Sequence, residues 1–148
     1  MQKTIIIFLF ICTTGLILTS CKQNEADGIL IDYTLYVHQS IAENRELRQL
    51  IRQTLNKDEK ALAKLIKVWC GGGAGCYDLG FIITQIIYQL GEKDFMTMVD
   101  KLDRKQIDGL DGLIDAGLEY GDNDKDGEMD NKRIETEFPE LLELLNIK

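Results

Sequence analysis

The chain contains 148 residues, of which 25 are acidic and 17 are lysine or arginine, so its formal net charge is -8 at pH 7. A charge of this sign repels phosphate backbones and anionic head groups, which excludes nucleic acid as an expected partner and favours cations or basic protein surfaces. The length allows one domain around one hydrophobic core.

The first 20 residues have the composition of a secretory leader. Lys3 is followed by an uncharged apolar stretch from Ile5 to Leu18, a pattern typical of a cleaved signal peptide. About 14 apolar residues are too few for a hydrocarbon core that needs about 20, which disfavours a permanent transmembrane helix. We therefore predict that residues 1–20 are removed. Because Lys3 is the one charge of the leader, the formal charge then changes from -8 to -9.

The end of the leader has a distinctive sequence. Leu18, Thr19, Ser20 and Cys21 resemble the lipobox of bacterial lipoproteins, in which an aliphatic residue and two small residues precede a cysteine. The resemblance implies that the Cys21 thiol receives a diacylglyceryl group and that the new amine is usually acylated. Two or three acyl chains would hold the protein firmly at a membrane, since each buried methylene contributes about 0.8 kcal/mol. The alternative is a plain leader that ends near a cysteine.

The residue after the cysteine bears on localisation. It is Lys22, whereas in enteric lipoproteins an aspartate there retains the protein in the inner membrane. The resemblance therefore implies a lipid-anchored protein of the cell envelope, at the outer membrane, facing the periplasm or the exterior. Residues 21–28 are predicted to be a lipidated polar tether and residues 29–148 a single domain. The expected partners are the membrane, through the anchor, and a candidate protein partner.

Helical periodicity dominates residues 29–148. Apolar residues recur at i, i+3 and i+4 rather than alternating, which predicts an all-α domain, a compact helical bundle or a short stack of helical hairpins with about 5 to 7 helices. One long helix or two shorter ones are predicted over residues 30–55. The later apolar stripes are Ala61, Leu62, Leu65, Ile66 and Trp69; Leu79, Ile82, Ile83, Ile86, Ile87 and Leu90; Phe95, Met98, Val99 and Leu102; Ile107, Leu110, Ile114 and Leu118; and Phe138, Leu141, Leu142 and Leu145.

Several residues mark helix ends. Asp78 is placed to cap the central helix at its start, and Gly91 suits a left-handed turn after its end. Asp103 with Gln106 resembles a capping box, and Pro139 suits a first helical turn. The central helix, residues 79–90, is predicted to form the middle of the core.

Cys70 and Cys76 are the cysteines that remain once Cys12 leaves with the leader and Cys21 carries lipid. An exported protein meets an oxidising compartment, and the glycine-rich segment between the two cysteines allows the backbone to fold back. We predict a structural disulfide, which contributes about 2 kcal/mol in the chain-entropy view, with Trp69 packed against it in the core. The alternatives are a phosphate-binding glycine loop, for which the lysine and the preceding strand are missing, and a two-cysteine metal site without further soft ligands.

One segment has the pattern of an ion site. Asp122, Asp124 and Asp126 alternate, and Gly127 follows directly. This D-x-D-x-D-G run resembles the first half of an EF-hand calcium loop, where carboxylates at alternate positions converge on a cation that binds six to eight oxygens. The resemblance implies Ca²⁺ as cofactor, and the candidate ligands are Asp122, Asp124, Asp126, Glu128, Asp130 and Glu135.

The second half of the loop departs from the EF-hand pattern. Counted from Asp122, Glu128 is seventh, where a backbone carbonyl serves, and Asp130 is ninth, where a water often intervenes. Arg133 stands twelfth, where an EF-hand has a bidentate glutamate, and Glu135 can replace that carboxylate only in a longer loop. The alternatives are an acidic solvated turn and a magnesium or manganese site. A bound Ca²⁺ is expected to fix the last helix rather than to act as a sensor.

The side chains offer little for catalysis, and we predict that the protein is not an enzyme. The single histidine, His38, is near Tyr33 and Tyr36 and is expected to be a partly buried packing residue. No carboxylate pair is marked by apolar surroundings, as a glycosidase-like pair would be. We predict a membrane-anchored binding or structural module. The alternative is an immunity or inhibitor protein that neutralises a secreted toxin or a cell-wall hydrolase, with residues 121–130 entering a basic cleft.

Overall fold

The structure is a computed structural model that describes residues 24–147, and within this range the chain is all-α apart from one short hairpin. The strands are β1 (Glu25–Ala26) and β2 (Ile29–Leu30). The helices are α1 (Tyr33–His38), α2 (Ile41–Leu55), α3 (Glu59–Leu65), α4 (Ala74–Leu90), α5 (Glu92–Val99), α6 (Arg104–Tyr120), α7 (Ile134–Glu137) and α8 (Pro139–Ile147). The predicted fold class is confirmed. The described range has one helix more than the upper expected number, because the four-residue α7 has no apolar stripe of its own.

The predicted leader, the lipobox with Cys21, and Lys22 lie outside the described residues. The predicted tether, residues 21–28, lies partly within them and differs from the expectation. Glu25 pairs with Leu30 and Ala26 with Ile29 in an antiparallel hairpin, and Ala26 is buried. The polar composition of this segment concealed the hairpin, because its turn residues are themselves polar. The folded domain therefore begins several residues earlier than predicted.

Helix α4 forms the centre of the core, as its apolar stripe predicted. Leu79, Ile82, Ile83, Ile86 and Ile87 are all buried, and α4 packs against α1, α2, α5, α6 and β2. A helix that is apolar on nearly every side needs neighbours on every side. These four helices and β2 therefore surround it.

The tightest of these contacts joins α4 to α6 through two glycines. A Cβ built on Gly117 would overlap the carbonyl oxygen of Gly80, and one built on Gly80 would overlap the carbonyl oxygen of Leu113. The two backbones are therefore in direct contact, which only residues without side chains allow. This contact fixes the position of α6, whose last residue leads into the acidic loop.

Most of the predicted helix ends are confirmed. The Asp103 carboxylate accepts from the backbone N–H of Gln106 at 2.9 Å while Gln106 Oε1 accepts from the backbone N–H of Asp103 at 2.8 Å. Gly91 has a φ of 83° after the last residue of α4, and Pro139 is the first residue of α8.

Asp78 differs from its predicted role as the cap of its own helix. Helix α4 begins at Ala74, so Asp78 lies in the second turn, and its Oδ2 accepts from the backbone N–H of Leu35 at 2.7 Å. Asp78 therefore caps α1, a neighbouring helix, whose own N-cap residue Asp32 makes no side-chain cap hydrogen bond. A carboxylate that serves as a cap from another element ties α1 to the central helix.

Cys70 and Cys76 lie at disulfide distance, with their Cα atoms 4.9 Å apart, which agrees with the predicted pair. Two neighbouring predictions were wrong. Trp69 is 66% exposed rather than packed in the core, because α3 ends at Leu65 and the helical periodicity does not extend to position 69. His38 is exposed rather than partly buried, since it is the last residue of the short helix α1.

Candidate metal centre

The acidic loop connects α6 to α7 and closes on the end of α6. Three backbone N–H groups near its end, those of Asp130, Asn131 and Lys132, donate to the carbonyls of Gly121, Glu119 and Leu118 at 3.0, 3.1 and 2.9 Å. The chain therefore runs back along the last turn of the helix that it has just left. This closure turns residues 122–130 into a compact loop with fixed ends.

Inside the loop, aspartates organise the turn through the backbone. The two carboxylate oxygens of Asp122 accept from the N–H groups of Asp126 and Gly127 at 2.9 and 3.1 Å. Gly127 has a φ of 93°, a conformation that glycine adopts without strain. The bend that the D-x-D-x-D-G run predicted is therefore present at Gly127.

Three carboxylates converge at this turn. Asp122, Asp124 and Asp130 each offer one oxygen atom, and these three atoms lie within 4.8 Å of one another. Such a separation is close enough for a single metal ion to contact all three groups. Crowding of like charges favours any cation that can enter between them.

Asp130 is the least accessible member of the cluster, with a side chain that is 1% exposed. Its Oδ2 atom accepts from the backbone N–H and the side-chain Nδ2 of Asn123 at 2.9 and 2.8 Å. Its Oδ1 atom is buried and has no hydrogen-bond partner among the described residues. Burial acts to raise the pKa of Asp130, but the hydrogen bonds from Asn123 and the nearby Lys132 ammonium outweigh it and lower the pKa. The carboxylate is therefore negatively charged, with one oxygen left without a partner, which is costly in a buried position.

A lysine shares this site with the three carboxylates. Lys132 Nζ lies 3.2 Å from Asp130 Oδ2 and 3.7 Å from Asp124 Oδ2, and 6.0 Å from the centre of the Tyr88 ring. Burial acts to lower the pKa of Lys132, but the two aspartates raise it overall. The ammonium group thus neutralises part of the negative charge that a metal ion would otherwise meet.

The structure brings together three of the six predicted ligands and leaves three outside the cluster. Asp126 uses its Oδ1 atom to accept from the backbone N–H of Glu128 at 2.9 Å, and the Glu128 side chain is exposed. Glu135 lies in the first turn of α7 and is exposed. Arg133, at the twelfth position, pairs with Glu119 at 3.1 Å. The bidentate glutamate of an EF-hand therefore has no equivalent in this cluster.

Asn123 and Thr84 support the site, although neither residue was predicted from the sequence. The Asn123 amide donates to the Gly117 carbonyl at 3.0 Å, and its Oδ1 atom accepts from the Thr84 hydroxyl at 2.7 Å. Thr84 is fully buried in α4. A threonine among the isoleucines of a buried helix was the available signal, because a buried hydroxyl needs a partner. Asn123 thus links the loop to both α4 and α6.

The last helices are held against the core beside the same loop. The Tyr88 hydroxyl donates to Glu137 at 2.6 Å, which joins α7 to α4. At the start of α8, the backbone N–H of Leu141 donates to the Glu92 carboxylate at 2.7 Å. These two contacts add to the buried side chains of Ile134, Phe138, Leu141 and Leu145, which hold α7 and α8 in the core.

Comparison of the chain with protein-family models, curated proteins and solved structures found no match. Among residues 24–147, no helix is both long enough and apolar enough to cross a membrane. The function proposed below therefore derives from the residues and the geometry of this chain.

Proposed function

We propose that this protein is a lipid-anchored, non-enzymatic module of the bacterial cell envelope, and that Ca²⁺ bound by Asp122, Asp124 and Asp130 fixes its C-terminal helices. The lipobox-like residues 18–21 support the anchor. The three converging carboxylates support the cation site. Ca²⁺ is preferred over softer metals because all three side chains supply oxygen, and it tolerates the irregular geometry and the added water ligands that a three-carboxylate site requires.

The proposal depends mainly on one observation, the environment of the Asp130 Oδ1 atom. An acidic cluster on a surface is common, but here one carboxylate is almost fully buried and keeps an oxygen without a hydrogen-bond partner among the described residues. A cation between Asp130, Asp122 and Asp124 would satisfy that oxygen. The missing twelfth-position glutamate implies a weak site, suited to an extracellular compartment where calcium is abundant.

The ion would act through the folding equilibrium. A ligand that binds the folded state and not the unfolded state raises the free energy of unfolding, by about 2.7 kcal/mol at a free concentration one hundred times the Kd. The loop ends where α7 begins, so an ion that holds the loop also holds the start of α7. The expected role is therefore stabilisation of the last two helices.

The cation site is tested by calorimetric titration of Ca²⁺ into the oxidised domain, residues 22–148. We expect one-to-one binding with a Kd of about 1 mM or tighter and a rise in Tm with added Ca²⁺. Asp124→Asn should abolish both effects. Glu128→Gln removes the same charge from the same loop but lies outside the cluster, so it should bind Ca²⁺ nearly as well as the parent protein. If Ca²⁺ up to several millimolar produced no heat and no shift in Tm, the ion site would be refuted. If Asp124→Asn and Glu128→Gln lost the same amount of Ca²⁺ affinity, the binding would depend on the overall charge of the loop and not on the three-carboxylate site.

The anchor is tested in a Gram-negative host that carries the full chain. We expect the protein in the membrane fraction, with an N-terminal peptide whose mass fits an acylated Cys21. Cys21→Ser should shift the protein to the soluble fraction or leave its leader uncleaved. A mature protein that begins at an unmodified residue other than Cys21 would contradict the anchor and leave the result for the cation site unaffected.

A further inference from the structure

The described surface carries several exposed apolar side chains on and near α1. Tyr33 is 73% exposed, Val37 46%, Ile41 81% and Trp69 66%. We call Tyr33, Val37, Ile41 and Trp69 the aromatic face. Large apolar side chains grouped in this way are typical of a surface that meets something other than water.

The members of the aromatic face lie on α1 or next to its C-terminal end. Tyr33 and Val37 are four residues apart on α1 and so project from the same side of that helix, opposite the buried Leu35. Ile41 is the first residue of α2. Gly71 lies next to both the Trp69 ring and His38 at the end of α1. A Cβ built on Gly71 would be 3.7 Å from the Trp69 ring and 3.9 Å from the His38 Cβ.

The exposure of these residues comes from a helix that is held in place at both ends. Asp78 caps the start of α1 through the Leu35 N–H at 2.7 Å. At its other end, Asn44 Nδ2 donates to the Tyr36 carbonyl at 2.8 Å. Since α1 cannot turn its apolar side inward without breaking these bonds, the fold presents Tyr33 and Val37 to the outside.

The position of the predicted anchor limits what can cover this face. The backbone N–H of Ile31 donates to the Asn24 carbonyl at 2.8 Å, so the first described residue lies beside the chain just before α1. Cys21 precedes Asn24 by three residues, and three residues span at most about 10 Å. With lipid on Cys21, Asn24 is held within that distance of the head groups, and α1 begins two residues after Ile31, the partner of Asn24.

We propose that the aromatic face docks on the lipid bilayer to which Cys21 is anchored, with its rings at the level of the head groups; this rests on the anchor of the proposed function. Tyrosine and tryptophan concentrate at membrane interfaces because each combines an apolar ring with a polar group. The four side chains carry no formal charge, whereas the mature chain is strongly acidic. The surface that fits is therefore a zwitterionic one, since anionic lipid would repel the rest of the domain. Docking of this kind sets the orientation of the domain as well as its distance from the membrane.

Trp69 reports directly on this contact because it is the single tryptophan of the chain. With Cys70 and Cys76 paired, Cys21 is the free thiol of the mature chain, so it can be coupled to a maleimide-bearing phospholipid in phosphatidylcholine vesicles. This coupling attaches Cys21 to lipid by chemical means, independently of whether a cell acylates it. A failure of docking then counts against the aromatic face, whereas an absence of lipid on Cys21 in cells counts against the proposed function.

The measurement is the fluorescence of coupled protein in vesicles whose acyl chains are brominated near the head groups. We expect a blue shift of the Trp69 emission relative to uncoupled protein and quenching of about twofold or more, because the indole enters the interface. The matched control is Trp69→Phe with Lys93→Trp. It moves the reporter to an exposed position after the C-terminal end of α4, a 17-residue helix about 25 Å long, whereas Trp69 precedes the start of that helix. That reporter should not be quenched.

Tyr33→Ser with Ile41→Ser provides a second check, because both residues are exposed and their replacement leaves the core intact. This double variant should lose most of the Trp69 quenching while keeping the melting temperature of the parent protein. Unchanged Trp69 emission on coupling, or equal quenching of the two reporters, would overturn the proposal. The first result would assign the aromatic face to a protein partner, and the second would show that the domain has no fixed orientation.

Discussion

Replacement of Gly117 by alanine is expected to lower the free energy of unfolding by about 3 kcal/mol, near the upper end for overpacked positions. The new methyl group would overlap the carbonyl of Gly80 on α4. A backbone atom cannot move aside as a flexible side chain can, so the two helices must separate along the centre of the core. Urea unfolding followed by circular dichroism measures the change.

The same helix supplies the matched control. Gly112 also lies in α6, but it is exposed, and a Cβ built on it meets nothing within 4 Å. Gly112→Ala should therefore raise the free energy of unfolding by about 0.5 to 1 kcal/mol, since alanine favours a helix over glycine. The same substitution is thus expected to lower the free energy of unfolding at position 117 and to raise it at position 112. If the two variants unfolded at similar urea concentrations, the close contact between α4 and α6 would be contradicted.

Replacement of Lys132 by glutamine is expected to tighten Ca²⁺ binding about tenfold, which corresponds to about 1.4 kcal/mol. The Lys132 ammonium is within 4 Å of both Asp124 and Asp130. A metal ion must displace this charge or share the carboxylates with it. Without the ammonium, Asp124 and Asp130 are no longer paired with a lysine, and the ion meets their full negative charge. Calorimetry on the oxidised domain gives the ratio of the two Kd values.

Lys125→Gln is the control for this effect. Lys125 is an exposed residue of the same loop, and its replacement removes the same charge without disturbing the pairs of Lys132. Its Kd should change by less than about threefold, the size expected of a screened surface charge. If the two variants bind Ca²⁺ equally well, Lys132 acts through the general field of the loop and does not compete for the site.

The helical stripes could be predicted from the sequence because burial on one face imposes its period on the residues. The contact between Gly80 and Gly117 could not, since periodicity shows which side of a helix is buried but not how closely its neighbour approaches. The Asp78 cap was missed for a related reason. A capping residue is ordinarily sought just before its own helix, and here the acceptor comes from another element.

The loop shows the same division between local and distant effects. The spacing of Asp122, Asp124 and Gly127 predicted a turn that gathers carboxylates, because that geometry is local to the sequence. The burial of Asp130 depends on Asn123, which in turn depends on Thr84 in a helix 39 residues away in the sequence. Such a link between distant segments leaves no periodic pattern, and neither does the placement of Lys132 among the aspartates.

Gln85 has a role in the hairpin that bears on association between copies of the chain. Its side-chain Oε1 accepts from the backbone N–H of Leu30 at 2.8 Å, and its Nε2 donates to the Leu30 carbonyl at 3.0 Å. An amide side chain thus occupies both backbone groups that a third strand would use. Exposed strand edges invite pairing with other chains. At Leu30 the outer edge of β2 is already filled from within the molecule, so this edge is protected from pairing with a strand of a second copy.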